Sequence, residues 1–228
     1  MSEIVTDVPR PDADLLDRLA DHSPSDLGHR RHFGFPDPAV RYQETGGRTT
    51  VVGSALTVRI PPEDSTMVHK ATELVDPGDV VVVDVQGHTG HAPWGEMTTR
   101  AAKRNGAVAA VVDGSVTDTR EMRDQDFPVY ARETAVRTTR LHGRGGDVNV
   151  PVQVGGATVE PGDVVFGNED GLVFVPREEL ETAVDQLEAE VDAEASELER
   201  FQDGASLADV TDANALVEDL GPTVRRHD

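Results

Sequence analysis

Glu96 and Asp118 are two carboxylates at the ends of a helix-to-strand unit, with residues 97–116 lying between Glu96 and the pair Thr117-Asp118. Glu96 follows a loop containing Gly87, Gly90 and Gly95; Asp118 follows a strand expected over Ala107–Val112 and a turn at Asp113-Gly114. This spacing can bring both carboxylates to one end of a sheet. There they would suit a hydrated divalent ion, Mg²⁺ or Mn²⁺, which takes few protein carboxylates and keeps several waters. Asp118 has two open readings. It is either a direct or water-mediated ligand of that metal, or the N-cap of a following helix, with Glu121 three residues on in capping-box spacing.

The loop offers a second kind of chemistry. At the start of a helix the N–H groups of Glu96, Met97 and Thr98 have no internal acceptor. Together with the positive end of the helix dipole they bind carboxylate or phosphate, and the glycines let a ligand approach the backbone closely. The same glycines also suit a plain turn. His88 and His91, with Glu96, would compose a His₂-carboxylate zinc set. That histidine spacing belongs on a helix, which Gly90 and Pro93 exclude here, so exposed loop histidines are the simpler reading. His69 reads as a partly buried hydrogen-bonding residue, and Trp94 as a pocket wall or a core side chain. There is no Ser-His-Asp order, P-loop or dinucleotide fingerprint.

The elements that must position these groups follow from the pattern. Ala13–Ala20 is a short helix within a Pro-, Gly- and Asp-rich stretch, and Asp26 starts a further turn. Residues 50–60 are β-rich and end at Pro61-Pro62. Thr66–Val75 has helical spacing with Met67, Ala71 and Leu74 on one face. Val80–Val85 is an apolar run of the kind found in strands covered on both sides. A helix from Glu96 is capped at Asn105-Gly106. Strand, helix and strand with short links predict a βαβ unit with parallel strands. Phe127–Arg132 is a third strand, and residues 148–175 are β with glycine turns. Pro-Gly-Asp-Val-Val occurs at 77–81 and again at 161–165, read as one turn chemistry arising twice. From Arg177 a long helix carries Leu180, Val184, Leu187, Val191 and Leu198 on one stripe, and Leu207–Leu220 is a further amphipathic stretch. No linker divides the chain.

The 228 residues carry 43 acidic and 21 basic side chains, a net charge of -22, and the only lysines are Lys70 and Lys103. Such a surface repels itself unless salt screens it. This suggests a salt-rich cytosol or, alternatively, a basic partner. It argues against nucleic acid, which needs net positive patches; His29-Arg30-Arg31-His32 is a local exception, read as a solvated segment. The absence of cysteine excludes disulfides and thiolate chemistry. No apolar run is long enough to span a membrane, and the N-terminus lacks the features of a signal peptide. A cytoplasmic protein is expected.

The stretches Gly53–Arg59, His69–Asp84, Trp94-Gly95-Glu96, Val111–Asp118, Phe127–Arg132 and Pro161–Pro176 resemble, in order, the RraA-like family. That family includes the 4-hydroxy-4-methyl-2-oxoglutarate aldolases, which are class II pyruvate aldolases, and the regulator of ribonuclease activity A. The resemblance implies an α/β fold, a single-domain α/β/β sandwich of swivelling-domain type with a long C-terminal helix. The core would span about residues 25–180 and the helical extension about 177–222. It further implies a homotrimer or hexamer with its site between subunits. The aldolase motif is Gly-x-x-x-acidic, then twenty residues, then Arg-Asp. Here Glu96 holds the acidic position and Asp118 the metal-binding one, while Ala92 replaces the leading Gly and Thr117 the Arg. In the aldolases that Arg contacts the pyruvyl group; Arg59, Arg120, Arg123 and Arg132 are candidates to replace it.

A metal-dependent carbon–carbon lyase acting on a small 2-oxo acid is therefore expected. Glu96 and Asp118 would be its catalytic residues, Asp118 its metal ligand, and Gly95, Glu96, Met97, Thr98, Thr117 and Arg120 its substrate contacts. The alternatives are a non-catalytic interaction protein like the ribonuclease regulator, and a phosphohistidine carrier using His69, His88 or His91.

Overall fold

The computed structural model describes residues 2–29, 34–43, 45, 50–223 and 225. The basic stretch Arg30–His32 therefore lies outside the described residues, as do Arg226–Asp228. Two compact units are present, Met1–Val184 and Asp185–Asp228.

The first unit runs α1 (Ala13–Ala20), α2 (Pro24–Gly28), β1 (Arg41–Tyr42), β2 (Val51–Arg59), α3 (Thr66–Ala71), β3 (Asp79–Asp84), α4 (Glu96–Arg104), β4 (Ala109–Val116), α5 (Thr119–Asp124) and β5 (Val129–Thr134). It continues with β6 (Asp147–Val148), β7 (Val152–Val154), β8 (Ala157–Val159), β9 (Val164–Asn168), β10 (Gly171–Val175) and the start of α6 (Leu180–Gln202). One sheet has the order β1-β5-β4-β3-β2-β9-β10, with β6 also paired to β2, and β7 and β8 form a separate hairpin. The pairs β2–β3, β3–β4 and β4–β5 are parallel, as the βαβ reading requires. The edges β1 and β10 approach one another, so the sheet is nearly closed.

Strand periodicity generates the layers. Side chains alternate between faces with a period of two. Val81 and Val83 face the helices, packing with Val68, Ala71, Ala102 and Met122. Val80 and Val82 face the other way, onto Val152, Val154, Ala157 and Val159 of the hairpin. The result is the expected α/β/β sandwich, with β3 buried along its whole length.

The two Pro-Gly-Asp turns match closely. Gly78 and Gly162 have φ of 89° and 88°. Asp79 Oδ2 accepts from the Asp76 N–H at 2.8 Å and Asp163 Oδ2 from the Glu160 N–H at 2.8 Å. They are one solution to entering a strand, used twice.

Two boundaries differ from expectation. The helix expected over Thr66–Val75 ends at Ala71. Asp113-Gly114 is not a turn: it continues β4, with a register shift between Val112 and Ser115. A Cβ on Gly114 would lie 2.2 Å from Val85 Cγ2, so this glycine serves close packing rather than chain reversal. The second unit contains the rest of α6, α7 (Leu207–Val210) and α8 (Ala213–Leu220). Arg200 ties it together by donating to the carbonyls of Asp209 and Val210. The stripe on α6 fades along its length: Leu180, Val184 and Leu187 are buried, whereas Leu198 is exposed.

Candidate functional site

β4 delivers Thr117-Asp118 and the loop after β3 delivers Gly95-Glu96, and backbone pairing joins the two. Trp94 and Val116 form an isolated parallel bridge, and the Thr117 N–H donates to the Trp94 carbonyl at 2.9 Å. Trp94 anchors this junction as a core residue, not a pocket wall. It is 1% exposed, stacks on Phe127 and donates its indole N–H to Thr99 Oγ1 at 2.9 Å. Thr98 Oγ1 closes the helix start, accepting from the Gly95 N–H and donating to the Gly95 carbonyl, both at 2.9 Å.

The carboxylate of Asp118 does not cap its own helix. Asp118 takes the left-handed conformation, φ 55° and ψ 38°, and makes no side-chain cap to α5. Instead its Oδ2 accepts the Glu96 N–H at 3.1 Å, and Thr117 Oγ1 lies 3.3 Å from Oδ1. Asp118 thus sits at the N-cap position of α5, its carbonyl accepting the Met122 N–H at 3.0 Å, while the side-chain cap expected of it is not made. The Glu96 N–H, expected free for a ligand, is already engaged. That leaves Met97 and Thr98 as the first-turn N–H groups without an intrahelical acceptor. Gly95 makes the close approach possible, since a Cβ there would sit 2.6 Å from Asp118 Oδ2 and 2.8 Å from Thr117 Cγ2.

Glu96 is half-buried, and its carboxylate faces Arg100 one helical turn on, with Arg100 Nε and Nη2 at 2.9 and 2.8 Å from Oε1. The i,i+4 spacing carries this pair in the sequence, although Arg100 was not among the expected site residues. Met97 is 71% exposed and Arg120 is exposed, without an ion-pair partner among the described residues. Two of the candidates to replace the missing Arg are committed elsewhere. Arg59 pairs with Asp147 at 2.7 Å, and Arg132 with Asp113 at 2.6 Å. Ala92 is buried, its N–H and carbonyl paired with Arg137 and Thr139.

The histidines depart from expectation. His88 and His91 are half-buried rather than exposed, their rings stacked, with Nε2 of His88 3.2 Å from Nδ1 of His91. They face each other rather than Glu96, and among the described residues no third ligand-bearing side chain gathers with them or with Asp118. His69 is exposed rather than partly buried.

Among the described residues, the Thr117 hydroxyl is the one partner of Asp118 Oδ1. A donor set of one free carboxylate oxygen fits a largely hydrated divalent ion and does not fit an all-protein cage.

The RraA-like family model, described as Aldolase/RraA, matches residues 13–174. The chain belongs to the RraA-like family. A Thermus thermophilus relative named 4-hydroxy-4-methyl-2-oxoglutarate aldolase is 33% identical over 135 residues, 59% of this chain and 81% of that protein. A Halalkalibacterium halodurans relative, provisionally given the same name, is 34% identical over 148 residues, 64% of this chain and 70% of that protein. Among solved structures, a Streptomyces coelicolor member of the RNase ES inhibitor RraA family matches with a TM-score of 0.69 and 27% identity, covering 86% of this chain and 99% of that one. The RNA-processing inhibitor RraA of Thermus thermophilus matches with a TM-score of 0.60 and 29% identity, covering 67% and 92%. This RraA-like chain thus has relatives named for catalysis and relatives named for inhibition.

Proposed function

We propose that this protein is a divalent-metal-dependent carbon–carbon lyase acting on a small 2-oxo acid, of the pyruvate aldolase or oxaloacetate decarboxylase type. The observation that carries the reading is the contact between Asp118 Oδ2 and the Glu96 N–H. It joins the two halves of the aldolase motif while leaving the second oxygen of Asp118, among the described residues, beside only a hydroxyl.

In this reading Asp118 holds Mg²⁺ or Mn²⁺, directly or through water. The ion, when bound, supplies Lewis-acid polarisation of the 2-oxo group. The Met97 and Thr98 N–H groups at the start of α4 receive the substrate carboxylate. Glu96, held by Arg100, orients a water or moves a proton. The exposed cations on the outer face of α4, Arg100 and Arg104, attract an anionic substrate within a chain of net charge -22. Met97 and Asp118 are open to solvent, and a second copy of the chain in a trimer or hexamer would wall the site.

Cleavage of oxaloacetate to pyruvate and CO₂, and of 4-hydroxy-4-methyl-2-oxoglutarate to two pyruvates, share pyruvate as the measured product. The test is pyruvate release from each with Mg²⁺ or Mn²⁺ at high salt. Metal-stimulated release abolished in Asp118→Ala supports the lyase. A variant matching wild type, or no release at all, favours the second reading, an inhibitor-type interaction protein, which rests on the likeness to the two RraA structures.

A further inference from the structure

Apart from the Glu96–Asp118 junction, the extended segment after β5 builds a cationic hollow. A cavity of about 460 Å³ is lined by Glu63, His91, Arg137, Thr138, Arg140 and His142. We propose that this cavity binds a small dicarboxylate, one carboxylate at each of the Arg137 and Arg140 guanidiniums. The proposal does not rest on the lyase reading.

The charges point this way. Acidic residues outnumber basic ones 43 to 21, so the chain has no shortage of carboxylates with which to neutralise an arginine. Yet Arg137 and Arg140 face one hollow with no carboxylate partner among the described residues. The acidic residue in the lining, Glu63, is paired with Arg144 at 3.3 Å. His91 uses Nδ1 toward His88, which leaves Nε2 for a ligand. The Thr138 hydroxyl and the His142 ring add further polar contacts.

The walls are held in place without the use of these side chains. The Ala92 N–H donates to the Arg137 carbonyl at 2.8 Å, and the Thr139 N–H to the Ala92 carbonyl at 3.2 Å. The Arg140 N–H donates to the Glu63 carbonyl at 3.1 Å, and the Ser65 N–H to the Arg140 carbonyl at 3.0 Å. Buried Asp64 then accepts the N–H groups of His142 at 3.1 Å and Arg144 at 2.6 Å. With the backbone fixed, binding has only the exposed side chains of Arg137 and Arg140 left to order.

The shape selects the ligand. Residues three apart in extended chain start on opposite faces, and both Arg137 and Arg140 nevertheless line the hollow, so they reach it from two sides and suit a dianion with separated carboxylates. Each planar fork matches one carboxylate in bidentate fashion. The volume lies within the range of small-molecule pockets.

Calorimetric titration with succinate, at constant ionic strength set by chloride, tests the proposal. Wild type is expected to bind one succinate per chain saturably. Arg137→Gln and Arg140→Gln should each weaken binding by at least about tenfold, and the double variant should abolish it. Arg137→Lys, keeping the charge but losing the fork, should fall between. Arg41→Gln, outside the cavity and exposed, should bind like wild type. Asp118→Ala should do so too, which separates this site from the lyase centre. Thermal unfolding checks that each variant is folded. The proposal is overturned if wild type shows no saturable binding, if the double variant binds unchanged, or if Arg41→Gln or Asp118→Ala loses binding as well. Inorganic phosphate binding as tightly as succinate would overturn the two-point recognition.

Discussion

Asp118 Oδ2 receives the backbone N–H of Glu96 at 3.1 Å, although 22 positions separate the two residues. A left-handed aspartate that turns its carboxylate away from its own helix carries conformational strain on the order of 1 kcal/mol. Asparagine tolerates that conformation and offers an amide oxygen to the same N–H. Asp118→Asn should therefore change stability by less than about 1 kcal/mol while removing metal-stimulated pyruvate release. Asp118→Ala should lose the release and also about 1 kcal/mol of stability, through the unmatched N–H. Unfolding midpoints measured beside turnover distinguish the two. Equal stability losses in both variants would contradict the contact.

Gly95 governs the same junction sterically. Its φ of -167° is extended backbone that any residue adopts, so Gly95→Ala should not misfold the chain. The added Cβ would, however, come within 2.6 Å of Asp118 Oδ2. Displacing that carboxylate by about 1 Å is expected to lower kcat/KM about 100-fold, with a stability loss of roughly 1–2 kcal/mol from overpacking. Steady-state kinetics and thermal unfolding on the same preparation check this, and Gly28→Ala, with open space around its Cβ, serves as control.

What was legible in the sequence was whatever a local pattern dictates. The helix Ala13–Ala20, the buried run of β3 and the start of α4 at Glu96 all follow from periodicity and capping, and the structure places them where expected. What was not legible depends on partners distant in the chain. Asp113-Gly114 has the composition of a turn, but Asp113 Oδ1 is satisfied by Arg132 Nε at 2.6 Å and the Gly155 N–H at 3.2 Å, and β4 continues through the pair with a register shift instead of reversing. Asp118 with Glu121 has the spacing of a capping box, but the left-handed backbone aims the side chain at another helix. His88 and His91 satisfy one another, which loop composition alone does not reveal. The candidate site was readable as residue types, and its wiring was not.

Asp64 makes stability depend on pH. Burial opposes its ionisation, but the Thr66 hydroxyl and the N–H groups of Arg144, His142 and Thr66 outweigh burial and hold its carboxyl well below the usual range. A folded-state pKa below the unfolded one means the stabilisation is fully present above about pH 4, the unfolded value. It is lost as pH falls toward the folded one. Asp64→Asn should therefore cost about 2 kcal/mol at pH 7, through lost charge-assisted hydrogen bonds, and a smaller amount at pH 3. Urea midpoints of both proteins at the two pH values measure this. A difference that stays constant with pH would show that the charge of Asp64 contributes nothing.

By the resemblance to the aldolases Thr117 stands where they carry Arg, and Arg59 and Arg132 are already held in other ion pairs. A charge-assisted donor aimed at developing oxyanion charge contributes about 3 kcal/mol to the transition state, or on the order of 100-fold in rate. If no cation fills that role, Thr117→Arg should raise kcat for pyruvate release by about that factor while changing KM little. The half-buried Thr117 has its methyl near Gly95 and its hydroxyl near exposed Asp118, so a longer side chain at this position has to pass Asp118. A rate unchanged by Thr117→Arg but lowered by Arg120→Ala would instead identify Arg120, exposed two residues beyond Asp118, as the cation that already serves the site.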